Sequence, residues 1–242
     1  MKIIHMSDIH LPEYGIDIWG TNTMVNFDKA IELISKIEDV DAIIVTGDLS
    51  NDGSRWSYDY FNNKIKQLGI PTFCCPGNHD NQEIMEETGA DSFHISNYYT
   101  NINGYDLLIL NSTIPEMSRG MFSEDAMSWI ERRLENSQNP TIIAFHHPCV
   151  EPGGWLNRKL LENRNDFVQL VSRYQNVKLV LYGHIHYGIQ HLINECCYSA
   201  APSIGFAFDK DLPKFQIAKG NEGFNLITIA NDEIKINPIL LK

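Results

Sequence analysis

Short apolar runs rich in β-branched residues recur along the chain, and each closes on a cluster of Gly, Asp, Asn or His. The runs at 2–6 (KIIHM), 41–46 (DAIIVT) and 71–75 (PTFCC) are too short and too evenly apolar for amphipathic helices and read as buried strands. Between them, 26–37 sets Phe27, Ala30, Ile31, Ile34 and Ile37 on one helical stripe, and 56–68 carries a second helical pattern. Strand, helix, strand implies a right-handed parallel crossover, which brings the carboxyl ends of successive strands to one edge of a sheet. The strand signal returns at 105–111, 141–145 and 177–182. Ser123 reads as the N-cap of a helix running to about residue 136, with Glu124 and Asp125 in its first turn, and 166–174 as a helix feeding the run at 177–182. From 190 onward the segments 190–193, 196–199, 224–230 and 233–239 read as short antiparallel strands joined by turns such as Asn231-Asp232. They suggest a second sheet packed on the first.

At 242 residues with no Pro/Ser-rich or low-complexity linker, the expectation is one α/β (α+β) domain spanning 1–242. A stretch at about 149–165, rich in Gly, Asn and Arg, reads as a loop covering a site. The net charge of −12 argues against a nucleic-acid or anionic-membrane surface, both of which need clustered Lys and Arg. An anionic substrate would then need local positive charge, which metal ions supply. No 18-residue apolar run reads as a membrane span, and the first residues turn polar too soon for a secretory h-region, so the expectation is a cytoplasmic protein. Five cysteines, two adjacent pairs plus Cys149, make no disulfide framework, and with no CxxC a thiolate zinc site is disfavoured.

The strand ends carry the chemistry. Asp8 and His10 follow the first, Asp48 the second, and Asn78, His79 and Asp80 the third. His146 and His147 follow the run at 141–145, and Gly183-His184-Ile185-His186 the run at 177–182. The i, i+2 spacing of Asp8 with His10 and of His184 with His186 lets each pair face one ion or two adjacent ions. Asn78 offers a neutral carbonyl and His79 a titratable ring, one nitrogen of which Asp80 could hold. Adjacent side chains point to opposite faces, so one of His146 and His147 is suited to be a ligand and the other a hydrogen-bonding neighbour. Two carboxylates, one amide and four imidazoles exceed what one ion takes, whereas two ions sharing a carboxylate would use them all. Paired ions are the usual device for in-line attack on phosphorus.

In order, these stretches match the DxH, GD, GNH, H and GHxH signature, and the chain resembles the calcineurin-like metallophosphoesterase superfamily. The likeness extends to the bacterial class III cyclic-nucleotide phosphodiesterases through 47–53 (GDLSNDG), 145–148 (FHHP), Trp155-Leu156 with Leu161 and Asn163, and Ala201-Pro202-Ser203. The resemblance implies a four-layer fold, two mixed β-sheets between helices. It implies that Asp8, His10, Asp48 and His186 hold one transition-metal ion and that Asp48, Asn78, His146 and His184 hold the other, the ions being Fe, Mn or Zn. His79 would stabilise or protonate the leaving oxygen, with Asp80 supporting it. The implied activity is hydrolysis of cyclic AMP or similar small phosphodiesters by a hydroxide bridging the two ions, in a monomer or homodimer. Asn78, His79, His147, Trp155, Asn157 and Asn163 are candidate substrate contacts, Trp155 for its aromatic face and the asparagines for their amide edges. Alternatives are a glycerophosphodiesterase, a nucleotide pyrophosphatase, a phosphoprotein phosphatase or a silent scaffold, the last disfavoured because every motif is intact. Asn51 stands where relatives often carry Asp, and the tail from Phe206 onward matches least.

Overall fold

Side chains alternate along each central strand between two apolar environments, which is why the strands read as continuous apolar runs. The computed structural model of the protein describes residues 1–14, 16–211, 214–231 and 233–242, with the side chains of 154 and 155 excepted. In chain order the elements are β1 (Lys2–Met6), α1 (Thr23–Ile34), β2 (Ala42–Thr46), α2 (Arg55–Lys66), β3 (Thr72–Cys75), α3 (Gln82–Glu87), β4 (Tyr98–Ile102), β5 (Tyr105–Ile109), α4 (Glu124–Glu135), β6 (Thr141–Ala144), a 3₁₀ turn at Gly154–Arg158, α5 (Arg164–Val171), β7 (Val177–Tyr182), β8 (Ile189–Ile193), β9 (Cys196–Ala200), β10 (Gly223–Ala230) and β11 (Glu233–Leu240).

Two mixed sheets face one another, one ordered β11-β10-β1-β2-β3 and the other β4-β5-β6-β7-β9-β8. Ile3 and Ile44 from the first meet Leu107, Ile142 and Leu179 from the second in the layer between them. Ile4, Met6, Ile43 and Val45 point the other way, onto Phe27, Ile31 and Ile34 of α1 and Phe61 of α2. Ile143 and Val180 likewise face Ile130 of α4 and Phe167 of α5. The result is the four-layer helix–sheet–sheet–helix α/β architecture that the resemblance implies.

The tail strands do not form a sheet of their own. β10 pairs antiparallel with β1 and carries β11 outward, while β9 pairs parallel with β7 and carries β8. Alternation sets which face a strand buries but not which neighbour it takes, so the pairing could not be read from it. α1 starts three residues before the apolar stripe suggests, because the Asn22 side chain accepts from Val25 N and caps the helix there. Ser123 caps α4 as expected, accepting from Ala126 N. α3 and β4 carried too few apolar positions to stand out. Asp232, half of a predicted turn, lies outside the described residues. All five cysteines are free, and among the described residues no helix is long and apolar enough to cross a membrane.

Candidate metal centre

The carboxyl ends of β1, β2, β6 and β7 are locked to one another by backbone hydrogen bonds that continue beyond the strands. Asp8 N donates to Gly47 O at 3.1 Å and His10 N to Asp48 O at 2.9 Å, setting the DxH and GD stretches side by side. Gly183 N donates to His146 O at 3.0 Å, doing the same in the other sheet. Two bonds then cross between sheets: His184 N donates to Asp8 Oδ2 at 2.9 Å, and His146 Nδ1 to Thr46 O at 2.7 Å. Asp8, His10, Asp48, His184 and His186 all leave their strands with left-handed backbone, at φ of 54°, 51°, 52°, 70° and 59°. For a non-glycine residue this costs on the order of 1 kcal/mol each, and it recurs where side chains must be turned toward a site. Two glycines permit the close approach. A Cβ on Gly47, at φ +84°, would lie 2.7 Å from Gly77 N and 2.8 Å from His146 Nδ1, and one on Gly183 would run into Ser7 Oγ.

Two groups of donors result. Ligand-type atoms of Asp8, His10, Asp48 and His186 lie within 4.8 Å of one another, and so do those of His146, His147 and His184. Asp48 stands between the groups, its Oδ2 at 3.6 Å from His10 Nε2 and 3.4 Å from His146 Nε2. Asn78 Oδ1 reaches the second group, 3.3 Å from His146 Nε2. His146 Nδ1 donates to Thr46 O and His186 Nδ1 to Phe206 O, each at 2.7 Å, and a carbonyl only accepts, so in the neutral form of each ring it is Nε2 that presents the lone pair inward. There His146 Nε2 approaches His184 Nδ1 at 3.1 Å, and His186 Nε2 approaches His10 Nε2 at 3.2 Å. Paired lone-pair donors turned toward a common point, beside two buried carboxylates, suit a cation.

Electrostatics favours the ligating forms of Asp8, Asp48, His10 and His184. Burial would raise both carboxyls, but His186 and His146 around Asp8, and His146 and His10 around Asp48, hold them below the usual carboxylate range. Burial lowers the His146 imidazole, yet Asp48 and Asp8 outweigh it and bring the pKa to about 9. His10 is pulled down to about 3 by burial against the pull of Asp48, and His184 to about 3 by burial and His146. Ionised carboxylates and neutral rings are the forms in which these groups ligate a metal; His10 and His184 are already neutral, whereas His146 keeps a second proton beside Asp48 that a bound ion would displace.

The calcineurin-like phosphoesterase family model matches residues 1–188. The chain belongs to that family. A relative from Nostoc sp. named 3′,5′-cyclic-nucleotide phosphodiesterase is 29% identical over 96% of this chain and 89% of its own. One from Haemophilus influenzae, named 3′,5′-cyclic adenosine monophosphate phosphodiesterase CpdA, is 26% identical over 96% and 86%. A dimetal phosphatase from Danio rerio shares the fold, with a TM-score of 0.75 at 12% identity over 100% of this chain and 96% of that one.

In this calcineurin-like phosphoesterase the donors His10, Asp48, Asn78, His184 and His186 form, with His79, the floor of a cavity of about 280 Å³. His79 is exposed to it, with Nδ1 3.0 Å from the Asn51 carbonyl and its backbone N donating to Asp48 Oδ1 at 2.8 Å. Asp80 does not hold the His79 ring. Its carboxylate faces the opposite way and accepts from Ser50 N at 2.9 Å, Gly77 N at 2.9 Å, Leu49 N at 3.2 Å and Tyr58 Oη at 3.2 Å. It pins the GD loop to the GNH loop, and removal from water together with the charge of Asp48 raises its pKa to about 6. The carbonyl of Asn51 takes the role expected of Asp80, a backbone contact that no side-chain pattern announces.

Three candidate substrate contacts are also corrected. His147 is fully buried, its Nδ1 2.9 Å from Ser112 Oγ, and it stands with His146 and His184 and not among the residues that line the cavity. Asn163 uses both ends of its amide on Phe122, accepting from its N at 3.1 Å and donating to its O at 2.9 Å. Asn157 accepts from Gly153 N at 2.9 Å within its own turn. The Trp155 side chain lies outside the described residues. The covering loop instead contributes Leu156 and Lys159, the one lysine or arginine among the described lining residues. Burial and Arg158 lower the Lys159 pKa, while the charge of Asp48 opposes them. Trp19, Phe206, Phe208 and Phe215 complete the wall, and no motif pointed to them.

Proposed function

We propose that the protein is a binuclear metal-dependent phosphodiesterase that hydrolyses 3′,5′-cyclic nucleotides, cyclic AMP among them. The observation that carries this reading is the position of Asp48, whose Oδ2 stands between two groups of inward-facing donors on the floor of one cavity. Asp8, His10, Asp48 and His186 would hold one ion, and Asp48, Asn78, His146 and His184 the other. When bound, two such ions supply a water of lowered pKa for attack on phosphorus and neutralise the developing charge. The chain's own residues do the rest. Thr46 and Phe206 carbonyls keep His146 and His186 in the ligating tautomer. His79, held at Nδ1 by the Asn51 carbonyl, is placed to give a proton or hydrogen bond to the leaving oxygen. Lys159 offers a cation to the phosphate in a chain of net charge −12.

Scale and relatives favour a small substrate. Ligand cavities run from roughly 300 to 1,000 Å³, and this one, at about 280 Å³, suits a single nucleotide better than a peptide. Two relatives that span nearly the whole chain bear cyclic-nucleotide phosphodiesterase names. We treat 1–242 as one catalytic unit with 149–165 as its covering segment, acting in the cytoplasm as a monomer or homodimer. Elemental analysis after reconstitution with Mn, Fe or Zn should give two ions per chain, and full activity at one ion refutes the binuclear reading. kcat/KM for cyclic AMP, a glycerophosphodiester, a dinucleoside polyphosphate and a phosphopeptide should be highest for cyclic AMP. Turnover of one of the others without cyclic AMP leaves only the family.

A further inference from the structure

Trp19 occupies a position that its residue type does not favour. Ile18 and Thr21 exchange both backbone hydrogen bonds at 2.9 Å, so Trp19 and Gly20 are the two central residues of a tight turn. Both have positive φ, 52° and 73°, the combination for which asparagine followed by glycine is preferred and which a bulky side chain adopts only at a conformational cost. Burial does not offset that cost, because Trp19 is 66% exposed. A large ring kept exposed in a disfavoured backbone conformation calls for a use.

The ring stands at the end of a line of aromatic groups that begins at the metal centre. Phe208 stacks on His186 at 4.1 Å and 8° between planes, Phe215 meets Phe208 edge-on at 5.2 Å, and Trp19 meets Phe215 at 5.1 Å. All four line the same cavity, and Phe215 is 40% exposed. The line therefore runs from a candidate metal ligand to the mouth, beside the floor where a phosphate would sit. A purine offers a planar π face for such rings, and this stacking needs no hydrogen-bond readout.

We propose that Trp19 and Phe215 form the platform on which the substrate's nucleobase stacks, so that this turn and the tail segment take part in base recognition. The assignment rests on the cyclic-nucleotide reading above. It is tested on metal-loaded wild type, Trp19→Ala, Trp19→Phe and Phe215→Ala by two measurements: KM and kcat for cyclic AMP, and calorimetric Kd for 5′-AMP and for ribose 5-phosphate, which lacks the base. Truncating either ring should raise KM for cyclic AMP and Kd for 5′-AMP by roughly 5–150-fold, the range stacking on an aromatic side chain gives. kcat and the Kd of ribose 5-phosphate should stay near wild type, and Trp19→Phe should recover most of the loss. Unchanged KM and Kd in both alanine variants, or equal losses for both ligands, overturn the platform while leaving the cyclic-nucleotide reading intact. An altered sedimentation coefficient of Trp19→Ala at unchanged KM assigns the ring to contact between copies and also overturns it. A wild type that cleaves other diesters but not cyclic AMP overturns the reading itself, and the platform with it.

Discussion

The floor and the wall of the cavity are built by opposite means. On the floor, each donor is delivered by a strand end whose backbone is bonded to the next, and Asp8, His10, Asp48, His184 and His186 are nearly or fully buried. On the wall, Trp19, Lys159 and Phe215 stand on turns and irregular segments, Trp19 and Phe215 in ring contact, Trp19 inside the Ile18–Thr21 turn and Lys159 N bonded to Leu156 O. A floor of this kind tolerates little substitution because its groups are ligand candidates and some of them, Asp8, His146 and His184, also tie the two sheets together. A wall of this kind is free to vary and is where discrimination among substrates is made.

The largest effect that would break the contrast is at Asp48. Asp48→Ala should empty both metal positions, beyond the roughly 10–100-fold affinity loss seen when a residue behind a ligand is changed. Elemental analysis is the check, and retention of two ions would remove Asp48 from its bridging place. His79→Ala should lower kcat by roughly 10²–10⁴-fold while leaving metal content near wild type. Loss of metal in that variant would make His79 part of the floor. Asp80→Ala sharpens the comparison from the stability side, since it orphans the buried donors that now end on its carboxylate. Urea unfolding should show a loss of about 1–3 kcal/mol, and unchanged stability would overturn the pinning role. The smallest effect is expected at Asn163, where Asn163→Ala frees only the Phe122 backbone groups. It should cost about 1 kcal/mol with KM for cyclic AMP unmoved, and a raised KM would return Asn163 to the substrate.

What could be read without coordinates follows the same division. Strand runs, helix stripes and the five motifs that mark the family are local patterns, and the resemblance they carried led to the family whose model matches residues 1–188. The ring of His79 shows where that legibility stops. A neighbouring Asp looked like its partner, but the turn sends Asp80 toward Gly77, Leu49 and Ser50 and brings a carbonyl, Asn51 O, to the ring instead. His147 and Asn163 misled for a related reason: residue type says what a side chain can bond to, and burial or a nearer backbone group decides what it does.

The sequence alone determined the candidate donors and their order, because a strand that ends on a fixed residue type places it at a sheet edge whatever surrounds it. The four-layer arrangement was implied by the family resemblance, while the apolar runs themselves demanded only a sheet covered on each side. The tertiary structure decided the partners. Which strand pairs with which, that Asp48 falls between the two donor groups, and that Trp19 and Phe215 meet at one cavity mouth despite their separation in the chain all depend on long-range packing. Period-2 and period-3.6 patterns specify a face to be buried but not the element that buries it.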